Sequence, residues 1–159
     1  MIGEIQVASQ HGVYVIRLIG DVRMVLCLSF DKYIGTMFGD PDFASVIFDL
    51  TAAVAVDSTT LGLMAKIALQ CQRRELAKPV LLVEAQGMLR LFETMGFDEI
   101  FLITRCTPVP SAQGFSLRCE EGTEDAFKSQ VIDAHKVLMS LNQNNHNAFK
   151  SLVDVLENQ

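Results

Sequence analysis

The stretch Asp57-Ser58-Thr59-Thr60-Leu61-Gly62 gathers a carboxylate and three hydroxyls where a buried apolar run gives way to a helix-period segment. Two kinds of chemistry suit those residue types. Asp57 and Ser58 are both helix-capping residues, whose side-chain oxygens accept from backbone N–H groups that lack an intrahelical partner. Negative charge would also be tolerated there, because the free N–H groups and the positive end of the helix favour an anion. Thr59 is a second hydroxyl in the same corner, suited to a capping or turn hydrogen bond. Asp57 stands close enough to Ser58 to bias its local charge.

No catalytic constellation accompanies these hydroxyls. His11, His135 and His146 fall in a turn, a helix and an Asn-rich link, without metal-ligand spacing. No Gly-rich phosphate loop follows a strand, and there is no G-x-S-x-G elbow. We therefore expect no enzymatic activity, no metal and no cofactor; ATP and its magnesium would belong to a partner. Lys plus Arg 13 against Asp plus Glu 19 gives a net charge of −6, shared by both halves, which argues against nucleic acid. Cys27, Cys71, Cys106 and Cys119 form no CxxC pair and read as reduced thiols. The first residues lack a basic and then apolar leader, and no run nears the roughly 18 apolar residues of a membrane span. We expect a cytoplasmic protein without membrane contact.

An α/β domain must position these residues. At 159 residues, with 50% apolar and 20% charged, the chain can fill one core with a modest extension and is too apolar for disorder. Ile5 to Ala8 and Val13 to Ile19 flank Gln10-His11-Gly12 as a hairpin. Val25, Leu26, Leu28, Ile34, Met37 and Phe38 then follow helical spacing until Gly39-Asp40-Pro41. Ala44 to Leu50 is a strand covered on both faces. Leu61, Met64, Ala65, Ala68 and Cys71 outline the helix that begins at Asp57 or Ser58, with Lys66, Gln70, Arg73 and Arg74 on its far side as a solvated face or a contact for an acidic partner. After Pro79, Val80 to Val83 makes a strand, Met88 to Met95 a short helix ending at Gly96, and Ile100 to Ile103 the last of about five strands. Met64, Met88, Met95 and Phe92 fit a core, or an adaptable partner surface.

Thr107-Pro108-Val109-Pro110-Ser111 cannot continue a helix or an inner strand, so the sheet domain should span 1–105 and a linker 106–122. Phe127, Val131, Ala134, Leu138 and Leu141 step by four, three, four and three, and Phe149, Leu152, Val153 and Leu156 repeat that pattern beyond Asn142 to Asn147. These predict a C-terminal extension, 123–159, of two amphipathic helices, with Thr123 as the first N-cap. They could cover the open face of the sheet, form a dimer contact or dock a partner.

Residues 1 to about 105 resemble a STAS domain, the anti-anti-sigma factor (anti-sigma factor antagonist) family. Gly20-Asp21-Val22-Arg23 resembles the family's Gly-Glu-x-Asp turn. Asp57-Ser58-Thr59-Thr60-Leu61-Gly62 resembles its Asp-Ser-(Ser/Thr)-Gly-Leu-Gly phosphorylation motif, and Leu89 to Phe97 its Leu-x-x-Gly helix and closing turn. Thr60 replaces the motif glycine, and Arg23 the second acidic residue of the turn. The resemblance implies a STAS-like mixed β-sheet with packed helices. It also implies that Ser58 is phosphorylated by a serine kinase doubling as the anti-sigma factor, and dephosphorylated by a PP2C-like phosphatase. Asp57, Thr59, Thr60, Gly62 and Asp21 would then be motif and partner-binding residues, although an Asx turn also explains Asp21. The rival functions are a sensory or scaffold STAS module that binds a small ligand or signalling partner without phosphorylation, and a small hydrolase or transferase.

Overall fold

Alternating apolar and polar residues build the first hairpin of the computed structural model, which describes residues 2–105 and 114–159. β1 (Glu4–Gln10) runs antiparallel to β2 (Val13–Val22), with Ile5, Val7, Tyr14, Ile16, Leu18 and Val22 turned into the core. His11 and Gly12 make the turn, both at positive φ. A 3₁₀ turn, Met24–Leu26, leads into α1 (Cys27–Phe38). β3 (Ser45–Asp49) pairs with the first half of β2 in parallel, and β4 (Ala53–Val56) with its second half. α2 (Ser58–Arg73), β5 (Val80–Leu82), α3 (Gln86–Thr94) and β6 (Leu102–Thr104) complete the parallel part. β7 (Phe115–Ser116) pairs antiparallel with β1, so the sheet order is β6-β5-β3-β2-β1-β7 with β4 on β2.

The mixed α/β architecture and its C-terminal helices are those expected, while the sheet has seven strands rather than about five. The two additions are short and exposed. In β4 Val54 is 71% exposed, and in β7 Phe115 is 60% exposed, so neither carries the apolar alternation by which a half-buried strand is recognised. The proline-containing stretch Thr107 to Ser111 lies outside the described residues. The core holds Phe48, Phe92, Phe97 and Phe101, joined through ring contacts between β3, α3 and the turn that follows Gly96. Met64, Met88 and Phe92 are buried there too, which answers the choice between core and surface for them.

α4 (Glu124–Leu141) and α5 (Gln143–Glu157) fold back as a hairpin against the helical layer. The Thr123 side chain caps α4 as expected, accepting from Ala126 N–H. The Asn-rich link is shorter than the sequence suggests. Asn142 alone joins the helices, and its side chain accepts from Asn145 N–H to start α5 at once. Asn145, 3% exposed, donates to the carbonyls of Met95 and Leu138, so an amide in an apolar setting is satisfied. Among the described residues, no helix is long and apolar enough to cross a membrane.

Candidate functional site

Both carboxylate oxygens of Asp57 are committed to backbone N–H groups. Oδ1 accepts from Thr60 N–H at 2.9 Å, the N-cap of α2, and Oδ2 accepts from Met24 N–H at 2.6 Å. One side chain therefore ties the helix start to the segment that leaves β2, and the Asp57 N–H donates to the Val22 carbonyl in the same corner. Of the two capping candidates, Asp57 takes the cap and Ser58 becomes the first helical residue with its hydroxyl released from that task.

That hydroxyl meets a residue from the C-terminal extension. Ser58 Oγ lies 2.7 Å from His135 Nε2, and His135 Nδ1 lies 2.6 Å from the Val131 carbonyl oxygen. A carbonyl only accepts, so Nδ1 carries a proton, which leaves Nε2 to share the hydrogen bond with the Ser58 hydroxyl. His135 is 2% exposed and stands edge-on to Phe149 of α5. The sequence places His135 in a helix but not in this site. Its spacing from Val131 and Leu138, on the apolar stripe of α4, is the one local sign that it would be buried.

The hydroxyls of the corner differ in access. Ser58 is half-buried, whereas Thr59 and Thr60 are 3% and 2% exposed. At Gly62 α4 comes close: a Cβ added there would stand 2.2 Å from the Ala134 carbonyl oxygen. Asp21 lies on β2 opposite Ala55 of β4, and its carboxylate pairs with Arg23 at 2.9 Å. The cation at position 23 thus neutralises its acidic neighbour. Met24 and Val25, on the segment that leaves β2, and Val54, on β4, are exposed apolar residues of the elements that lead into the corner. The Cys27 thiol, beneath it at the start of α1, is pushed up to about 11 by burial and then by the charges of Asp57 and Asp31.

The outer residues of α2 are used within the chain. Lys66 pairs with Asp31 of α1 at 2.7 Å, Arg73 donates to Gln70, and Arg74 donates to the Phe38 carbonyl while stacking over its ring. A second polar cluster escaped the sequence reading. Asp49, fully buried at the end of β3, accepts from Arg17 and from both the N–H and hydroxyl of Thr51. Burial raises the Asp49 carboxyl, but the Thr51 and Arg17 hydrogen bonds with the Arg17 charge outweigh it and hold it below the usual range. Among the described residues no group of three His, Cys, Asp or Glu side chains is placed to hold a metal.

The fold agrees with that of known proteins. The chain is similar to the crystal structure of an anti-sigma factor antagonist from Mycobacterium paratuberculosis, with 21% identity and a TM-score of 0.51, over 64% of this chain and 85% of that one. It is also similar to the structure of the anti-sigma factor antagonist SpoIIAA in its unphosphorylated form, with 17% identity and a TM-score of 0.55, over 65% of this chain and 89% of that one. At such identities the likeness is one of fold. No curated protein matches the chain. The STAS domain family model matches residues 4–109, from β1 to beyond β6 and across the whole Asp57 corner, and the chain therefore belongs to the STAS domain family.

Proposed function

We propose that this chain is an anti-sigma factor antagonist that binds its anti-sigma factor at the Asp57–Ser58 corner and is switched by reversible phosphorylation of Ser58. The kinase would be the anti-sigma factor itself, and a PP2C-like phosphatase would reset the switch in the cytoplasm. The single observation that carries this reading is the division of labour at the helix start: Asp57 supplies the cap, and the half-buried Ser58 hydroxyl is left for other chemistry.

In the transfer, the bond from Ser58 Oγ to the terminal phosphorus of ATP forms as that phosphorus parts from its bridging oxygen. ADP leaves, and the hydroxyl proton passes to a base of the kinase. The product carries about −1.5 to −2 charges. At the start of α2 the helix dipole tolerates them, but burying them in an interface without a matching cation costs several kcal/mol. Since about 1.4 kcal/mol is a tenfold change in affinity, that suffices to release the partner without refolding. The exposed Met24, Val25 and Val54 would supply the apolar part of the interface.

The test is a titration against the anti-sigma factor recovered from the native cytosol with a Ser58→Ala bait. Ser58→Ala should bind, and Ser58→Asp should bind at least tenfold more weakly. Equal affinities refute the proposal.

A further inference from the structure

The burial of α2 does not fit a helix with one face toward water. Seven consecutive residues, Thr59 to Ala65, are buried, whereas a helix resting on a sheet exposes a residue on nearly every turn. The missing solvent face is occupied by α4. Its Ala134, 2% exposed, packs on Gly62 so closely that the Ala134 Cβ would lie 2.7 Å from a Cβ built there. One turn of α2 earlier, His135 holds the Ser58 hydroxyl. At the far end the elbow of the hairpin is fastened to the turn after α3: Asn145 donates to the Met95 carbonyl, and a Cβ at Gly96 would stand 2.6 Å from Asn142 Nδ2.

We propose that the α4–α5 hairpin is an intramolecular cover over the first turns of α2, latched by the Ser58–His135 hydrogen bond, and that Ser58 is fully available only when the hairpin lifts. The regulatory meaning of the cover rests on the antagonist reading above; the cover itself does not. A kinase must aim the Ser58 oxygen at a terminal phosphate, and here that oxygen is turned to a buried imidazole. A partner that grips the first turns of α2 must displace Ala134, since Gly62 and Ala134 leave no gap for it. The apparent affinity for such a partner is reduced by the fraction of molecules that are open. The hairpin thus competes with the partner for one face.

The cover is tested with Ser58→Cys in a full-length chain also carrying Cys106→Ser and Cys119→Ser, labelled with an aromatic disulfide reagent. Ala134→Phe has no room against Gly62 and should lift the hairpin; Asn145→Ala removes its distal anchor without touching α2. Labelling at position 58 should be at least tenfold faster with Ala134→Phe, and several-fold faster with Asn145→Ala. Cys27 and Cys71 are buried and report core unfolding by their own labelling, in which case Asn145→Ala alone decides. Labelling as fast in the unlifted chain as in both variants overturns the cover. Titration of the anti-sigma factor with the same substitutions in a chain that keeps Ser58 separates the two claims. Faster labelling with no binding by any form upholds the cover and sinks the antagonist reading, whereas equal labelling with firm binding does the reverse.

Discussion

Asp49 shows how a buried charge is retained. Its carboxylate is sealed beneath the sheet surface yet accepts three hydrogen bonds, from Arg17, Thr51 N–H and Thr51 Oγ1, and bonds to an ionised group contribute about 1.5–3 kcal/mol each. Because its pKa is lower folded than unfolded, the stabilisation is complete above the ordinary carboxylate pKa of about 4 and is lost as pH falls through the folded value. Asp49→Asn should therefore cost about 1–3 kcal/mol near pH 7 and flatten the loss of stability toward acid. Urea midpoints measured between neutral and acid pH check this; parallel profiles for the two proteins would contradict it. Asp40, held low mainly by the Tyr14 hydroxyl that donates to it, adds the same acid slope to both. Tyr14 itself is raised to about 12, first by burial and then by Asp40. The Asp57–Ser58 corner was legible because capping residues announce a helix start within a few positions. Its partner was not: His135 is 77 residues away from Ser58, and no local pattern spans that distance.

At the scale of elements, the strongly apolar runs of β2, β3 and β5 and the stripes of α4 and α5 were legible because burial imposes a period on them. β4 was not, since Val54 and Ala55 face water and its pairing depends on β2 turning past Gly20, where φ is positive and the register shifts. The elbow between α4 and α5 was misjudged for a different reason. A run of asparagines reads as a loop by composition, but Asn142 is an N-cap and Asn145 finds two carbonyls, so the run becomes the first turn of a helix. Asn142→Ala should lower stability by about 1 kcal/mol, with Gln143→Ala, one residue on and exposed, changing it by less than about 0.5 kcal/mol. Thermal melts of the two variants side by side check the contrast. A larger loss at Gln143 would show that the capping geometry is not what holds the elbow.

Across the whole molecule, stability is unevenly shared. The hairpin joins the remainder through side-chain packing on α1 and α2 and a few polar anchors, whereas the sheet is knit by backbone pairing along every inner strand. Such a unit opens at lower free energy than the core. Amide hydrogen exchange should show α4 and α5 losing protection together and well before β2 and β3; one common rate for all four elements would contradict it. The family fold was legible because the strand and helix order is written in local patterns. The extension packs on α1 and α2, whereas the sequence left it open among three other places, the open face of the sheet, a dimer contact and a partner site. The reason is that an amphipathic stripe states that a face must be covered and not by what. Since α2 and α4 belong to one polypeptide, diluting the protein cannot part them, while an outside rival gains ground only as its own amount rises. Under the cover proposed above, a scarce rival would leave the chain shut at any protein level, and a rival abundant enough to outmatch the tethered segment would open it.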